Sequence, residues 1–136
     1  MNPEHALLDT NIVSCIMKGD ELGRIYGRRL KGKTTWIAFV TAGEMYFGAE
    51  KRKWGLKKRR RLQLILDGFA LIPYDQEIAL RYGSVRAERE AQGKPIGFAD
   101  AWIAACALCY DIPLATHNRR DFEHIPGLDL ITEANA

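Results

Sequence analysis

Apolar and polar positions along this 136-residue chain alternate between two rhythms. HALLD, residues 5–9, is a short apolar run closed by Asp9, and TNIVSCIM after it spaces its apolar residues as a helix does. The polar stretch GDELGRIYGRRLKGK puts Leu22, Ile25, Tyr26 and Leu30 on one helical face. TTWIAFV, β-branched and aromatic, predicts a second strand, and TAGEMYFGAEKR predicts a helix entered through Thr41. From Leu56 to Phe69, the stripe Leu62, Ile65, Leu66 and Phe69 predicts an amphipathic helix. ALIPY predicts a strand, and DQEIALRYGSVRAEREAQG a long helix capped by Asp75 and stopped at Gly93. KPIGFADAWIAACALCYD opens as a loop and becomes the most apolar helix of the chain, which places it centrally in the core. IPLATHN, RRDFEHI and LDLIT then predict a strand, a short helix and a last edge strand.

Strand and helix alternating in this way predict an α/β fold whose mainly parallel sheet is covered on both faces. No repeat, low-complexity segment or linker divides the chain, so residues 1–136 are expected to form one domain. In open sheets of this kind, ligands bind beyond the carboxyl ends of the strands. Asp9 stands at one such end, and Asn118 and Asp121 follow another.

Composition narrows the class. The chain is 47% apolar and 27% charged, as expected of a folded globular protein. No stretch approaches the roughly 18 apolar residues of a membrane span, and MNPEHALL lacks the basic start and long apolar core of a signal peptide. A cytoplasmic protein with no membrane contact is expected. Cys106 and Cys109 form a CxxC spacing, but it lies inside an apolar helical run without a second pair, which points to helical packing. Charge is uneven: residues 51–61, KRKWGLKKRRR, hold 8 basic residues in 11, a density that attracts phosphates.

Four carboxylates carry the candidate chemistry. Asp9 and Asp121 follow strands; Glu44 lies early in a helix between small neighbours; Asp100 opens the apolar helix behind GKPIGFAD. Each alone reads equally as a helix cap, a first-turn acid or a turn residue. Together, on the cleft side of the sheet, they would repel one another strongly unless a hard divalent cation neutralised them. Such a site orients a phosphodiester and lowers the pKa of a water. Thr10, Asn11, Thr116 and Asn118 are suited to orient these carboxylates.

The segments LLDTNIVS, TAGEMYFGA, RAEREAQGKPIGFADAWIAACAL and LATHNRRDF, in that order, resemble those of the PIN-domain ribonucleases, specifically the VapC-type toxins of prokaryotic type II toxin–antitoxin modules. DTN alone is weak; the set of four spans nearly the whole chain. The resemblance implies a three-layer α/β/α sandwich and a Mg²⁺-dependent endoribonuclease, with Mn²⁺ as a substitute. It implies Asp9, Glu44, Asp100 and Asp121 as the acidic quartet and Asn118 as its helper, with Thr10 and Asn11 organising the first turn. It also implies an RNA substrate, a homodimer and a cognate antitoxin. Gly43 before Glu44 and Cys106 in the apolar helix depart from the usual pattern, at packing positions.

On this reading Asp9, Asp100 and Asp121 hold the metal while Glu44 positions or deprotonates the attacking water. Lys51, Arg52, Lys53, Lys57, Lys58, Arg59, Arg60 and Arg61 guide the RNA backbone. Trp36 and Trp102 read as core, and Trp54, among the basic residues, is the stacking candidate. His5, His117 and His124 fit no metal spacing. Two other readings compete. An aspartyl phosphatase would need an acid where Asn11 stands. A catalytically silent nuclease fold binding RNA or a protein would have no use for four carboxylates.

Overall fold

The structure, a computed structural model, describes residues 2–135. Strand β1 (His5–Leu8) leads through Asp9 into α1 (Thr10–Lys18), followed by α2 (Glu21–Arg29), β2 (Thr34–Ala38), α3 (Phe39–Lys51) and α4 (Leu56–Asp67). After β3 (Ala70–Ile72) come α5 (Gln76–Ala91), α6 (Phe98–Tyr110), β4 (Leu114–Ala115), α7 (Arg119–Phe122) and β5 (Leu130–Ile131). The strands form one sheet in the order β3-β2-β1-β4-β5, and every pairing is parallel. The expected last edge strand is β5.

Alternation along the strands builds two cores. Leu7, Ala38 and Leu114 face one side, where α5, α6 and α7 supply Ile78, Ile103 and Phe122. Ala6, Leu8, Ile37 and Ala115 face the other, against Ile12, Tyr26, Met45 and Leu62 from α1 to α4. A period of two with both faces apolar is what a sheet buried on both sides requires. Each fully buried Leu or Ile contributes about 1.5–3 kcal/mol relative to exposure. The α/β/α layering is therefore as expected. The apolar helix is α6, in which Ala101, Ala104, Ala105 and Ala107 are fully buried.

Several boundaries differ from the sequence reading, and three of them bear on the site. The second strand ends at Ala38, so Phe39 and Val40 belong to α3, and Thr41 is a buried helical residue and not its entry. The reason is pairing: Ala38↔Ile72 is the last register pair of β2 with β3, and a β-branched residue without a ladder partner gains nothing from extension. ALIPY stops at Ile72 before Pro73, which has no N–H to donate. IPLATHN shrinks to Leu114–Ala115: the Thr116 N–H still donates to Ile131 O at 3.1 Å, but its carbonyl accepts from the Tyr26 hydroxyl.

Strand order reverses its direction of growth at β1. β2 and β3 are laid down on one side of it, and β4 and β5 on the other. The crevice beyond the carboxyl end of β1 is thus the switch point at which α/β sheets bind ligands.

Candidate acidic active site

Register places the first acid. Leu8 is paired with Ala115, and the Asp9 N–H donates to Ala115 O at 2.9 Å, so Asp9 and Thr116 emerge side by side. Asp9 is the N-cap residue of α1, yet its side chain makes no capping hydrogen bond. Instead its Oδ2 accepts the Thr116 hydroxyl at 2.8 Å, in a position only 2% exposed. Thr116 Oγ1 in turn accepts the Asn118 N–H at 3.0 Å, so both capacities of the hydroxyl are committed. From behind, the buried Tyr26 hydroxyl donates to Thr116 O at 3.2 Å, lies 2.9 Å from His117 Nδ1 and accepts the Glu133 N–H at 2.9 Å. Burial pushes the Asp9 carboxyl above its ordinary range, and the Thr116 bond opposes that rise.

The second acid is held from α1. Thr10 Oγ1 donates to Glu44 Oε1 at 2.8 Å and lies 2.9 Å from Thr41 Oγ1. With its one proton given to Glu44, Thr10 must accept from Thr41. Asp100 and Asp121 occupy the first turns of α6 and α7. The Asp100 carboxyl is pushed up to about 6, first by burial and then by the negative charges of Asp9, Asp121 and Glu44. One carboxyl that feels the other three is the electrostatic signature of a shared site. The four differ in burial: Glu44 and Asp121 are exposed, Asp100 is half-buried, and Asp9 alone is deeply buried.

Among the described residues, no three His, Cys, Asp or Glu side chains are arranged so that they could hold a metal ion as they stand. Asp9 and Glu44 each accept a threonine hydroxyl. The donor set is all oxygen and negatively charged, and one carboxyl is raised by burial and then by the other three, which fits a hard divalent cation.

Residues 6–128 match the family described as PIN domain. The chain belongs to the PIN-domain family. Ribonuclease VapC2 of Haemophilus influenzae is 30% identical over 122 residues, 90% of this chain and 92% of that protein. The tRNA(fMet)-specific endonuclease VapC of Shigella flexneri is 30% identical over 122 residues, again 90% of this chain and 92% of that protein. The crystal structure of VapBC2 from Rickettsia felis bound to a DNA fragment from their promoter has a TM-score of 0.83 at 27% identity, covering 94% of this chain and 98% of that one. The resemblance carried by the four acidic segments is thus shared by the whole PIN domain.

Beside Glu44 the PIN domain opens a cleft of about 520 Å³ between α1, α3 and α4. Of the basic run, Lys51, Arg52, Lys58 and Arg61 line it; Lys53, Lys57 and Arg60 do not. Arg59 is committed elsewhere. It pairs with Glu50 at 2.6 Å and donates to the carbonyls of Trp54 and Ala49, tying α4 to α3. Lys18 and Phe47 also line the cleft, although the sequence reading singled out neither. Spacing held the missed signal: Phe47 follows Glu44 by three residues and shares its helical face.

The remaining chemistry-bearing residues pack. Trp36 Nε1 donates to His5 Nδ1 at 2.9 Å, and Trp102 stacks on Tyr82 with centroids 4.1 Å apart. All three cysteines are free, and burial holds the Cys106 thiol up at about 12, an unreactive state. No helix among the described residues is long and apolar enough to cross a membrane.

Proposed function

We propose that this PIN domain is the endoribonuclease toxin of a toxin–antitoxin pair, hydrolysing RNA phosphodiester bonds at the acidic site. The observation that carries the reading is geometric: in a chain of the PIN-domain family, Asp9 leaves β1 beside Thr116 at the switch point of the sheet, with Glu44 held against Thr10 one residue on. Asp9, Asp100 and Asp121, with Glu44, would hold Mg²⁺, or Mn²⁺ in its place. That ion supplies a readied water and a steadied leaving oxygen when bound. The chain's own groups set the geometry. Thr116 fixes the rotamer of Asp9 and opposes the rise that burial imposes on its carboxyl, while Thr10 fixes Glu44 at the site's edge, where it would position or deprotonate the attacking water. Asn118, exiting β4 with its N–H on Thr116, and Asn11 complete the polar surround.

Several features support the wider setting. The solved VapBC2 relative supports a protein antitoxin as partner. A homodimer is favoured by exposed Tyr74 and Phe98, which pack at the edge of an aromatic cluster with Phe39, Tyr82 and Trp102. One domain over 1–136, working in the cytoplasm, is the simplest organisation consistent with these relatives.

The test is cleavage of a labelled RNA with added Mg²⁺ by wild type and Asp9→Asn. Wild-type cleavage that stops with EDTA, and its loss in the variant, are expected. A wild-type rate in Asp9→Asn would overturn the acidic-site assignment. RNA binding unaffected by EDTA, with no cleavage, would favour the silent module.

A further inference from the structure

The cleft beside Glu44 has a composition that the acidic site does not explain. Among its lining residues, five cations (Lys18, Lys51, Arg52, Lys58 and Arg61) face one carboxylate, Glu44. Phe47, 64% exposed, lies in the same wall. A phenylalanine exposed to this degree between charged residues contributes little to the core, and most of its ring is open to a planar ligand. Along α3, Phe47 stands about 4.5 Å beyond Glu44 and Lys51 about 10.5 Å beyond it, at 1.5 Å per residue.

We propose that this cleft is a subsite for one nucleotide of single-stranded RNA flanking the scissile bond, its base stacked on Phe47 and its phosphates drawn to Lys51, Lys58 and Arg61. The proposal rests on the ribonuclease reading and gives it a substrate class. Two cation–ring contacts decide between the two aromatic residues of the cleft. The Lys58 ammonium lies 4.2 Å from the Trp54 ring centroid, a close contact that covers that face. The Lys51 ammonium lies 5.9 Å from the Phe47 centroid, at the limit of such interactions, where a base displaces it easily. Trp54 is also partly buried against the second core. The base therefore goes to Phe47, and Trp54 holds Lys58 toward the phosphate. A duplex keeps its bases stacked inside and offers nothing to the ring, so the subsite selects unpaired RNA.

The test uses the full chain in EDTA, so that binding is measured without cleavage. The probe is a short fluorescein-labelled oligoribonucleotide, free or annealed to its complement, followed by anisotropy. Phe47→Ala is expected to weaken single-strand binding about 5–30-fold and Phe47→Trp to restore it, with duplex binding unmoved by either. Lys51→Gln and Lys58→Gln are each expected to lower the slope of log K against log salt by about 0.7. Because Phe47 is exposed, the alanine variant keeps the fold, which its unchanged melting temperature verifies. Unchanged single-strand affinity in Phe47→Ala overturns the proposal, as does equal affinity for single strand and duplex. So does a Phe47→Ala variant that binds RNA normally but escapes neutralisation by a co-expressed antitoxin, which assigns the cleft to a protein. A chain that binds RNA through Phe47 but never cleaves it with added metal would leave the subsite standing and sink the nuclease reading.

Discussion

Replacing Asp100 with Asn should make the metal-free protein more stable at neutral pH. The Asp100 carboxyl moves from an ordinary 3.8 to about 6 on folding, through burial and then through Asp9, Asp121 and Glu44. For an acid whose folded pKa is raised, the stabilising contribution is complete below the unfolded value and is lost as pH rises through the folded one. Above about pH 6 the folded state thus carries the whole penalty of ionising this group. At face value the shift is about 3 kcal/mol; the side chain is only half-buried, and solvent screening reduces this to about 1–2 kcal/mol. A first-turn carboxylate also gains about 0.5 kcal/mol from its helix, which Asn forgoes. The net gain is about 1 kcal/mol, or about 3–5 °C in melting temperature for a chain of this size. Urea and thermal unfolding in EDTA across the pH range measure it. The gain should fade as pH falls from about 6 and vanish well below 3.8, where Asp100 is protonated in both states, and reverse with saturating Mg²⁺, which favours the wild type. An Asn variant less stable than wild type at neutral pH in EDTA, or a difference that ignores pH, would refute the electrostatic reasoning.

Thr116→Val keeps shape but deprives Asp9 of its 2.8 Å hydroxyl and Asn118 of its N–H acceptor; unfolding in urea should show a loss of about 1.5–3 kcal/mol. Since that hydroxyl holds the Asp9 carboxyl down, the acid limb of the pH–rate profile for RNA cleavage should move to higher pH in the same variant. Arg89, 5% exposed on α5, has Nε and Nη1 without a hydrogen-bond partner among the described residues. Arg89→Met should therefore be neutral or stabilising by about 1–2 kcal/mol in thermal unfolding, and a clear destabilisation would show that the guanidinium is satisfied in solution.

Local signals were legible in the sequence and non-local ones were not. Asp75 was read as a cap from its place before a helical run, and its Oδ1 accepts the Ile78 N–H at 2.8 Å as that reading requires. Asp9 offers the same local string but makes no cap. What turns it to Thr116 is the parallel register of β1 with β4, set by residues more than a hundred positions apart. Phe39 and Val40 read as strand because β propensity does not record where a neighbouring strand ends. Phe47 carries no local mark of exposure, because an aromatic on an apolar helix usually faces a core. The basic run was visible as charge, but composition could not separate Arg59, which ties two helices together, from Lys58 and Arg61, which face the cleft.

Three of the four acids sit where helix geometry should favour negative charge: Asp9 at the N-cap of α1, Asp100 and Asp121 in first turns. A helix N-terminus offers the equivalent of about half a positive charge. Two threonine hydroxyls add hydrogen bonds to Asp9 and Glu44. Yet burial, and after it the charges of Asp9, Asp121 and Glu44, still push the Asp100 carboxyl up to about 6, so dipoles and hydroxyls do not offset desolvation and repulsion together. A fold that sought only stability would fill these positions with Asn or Ser, which cap as well and do not repel. The acids make physical sense when a compact positive charge spends part of its time among them.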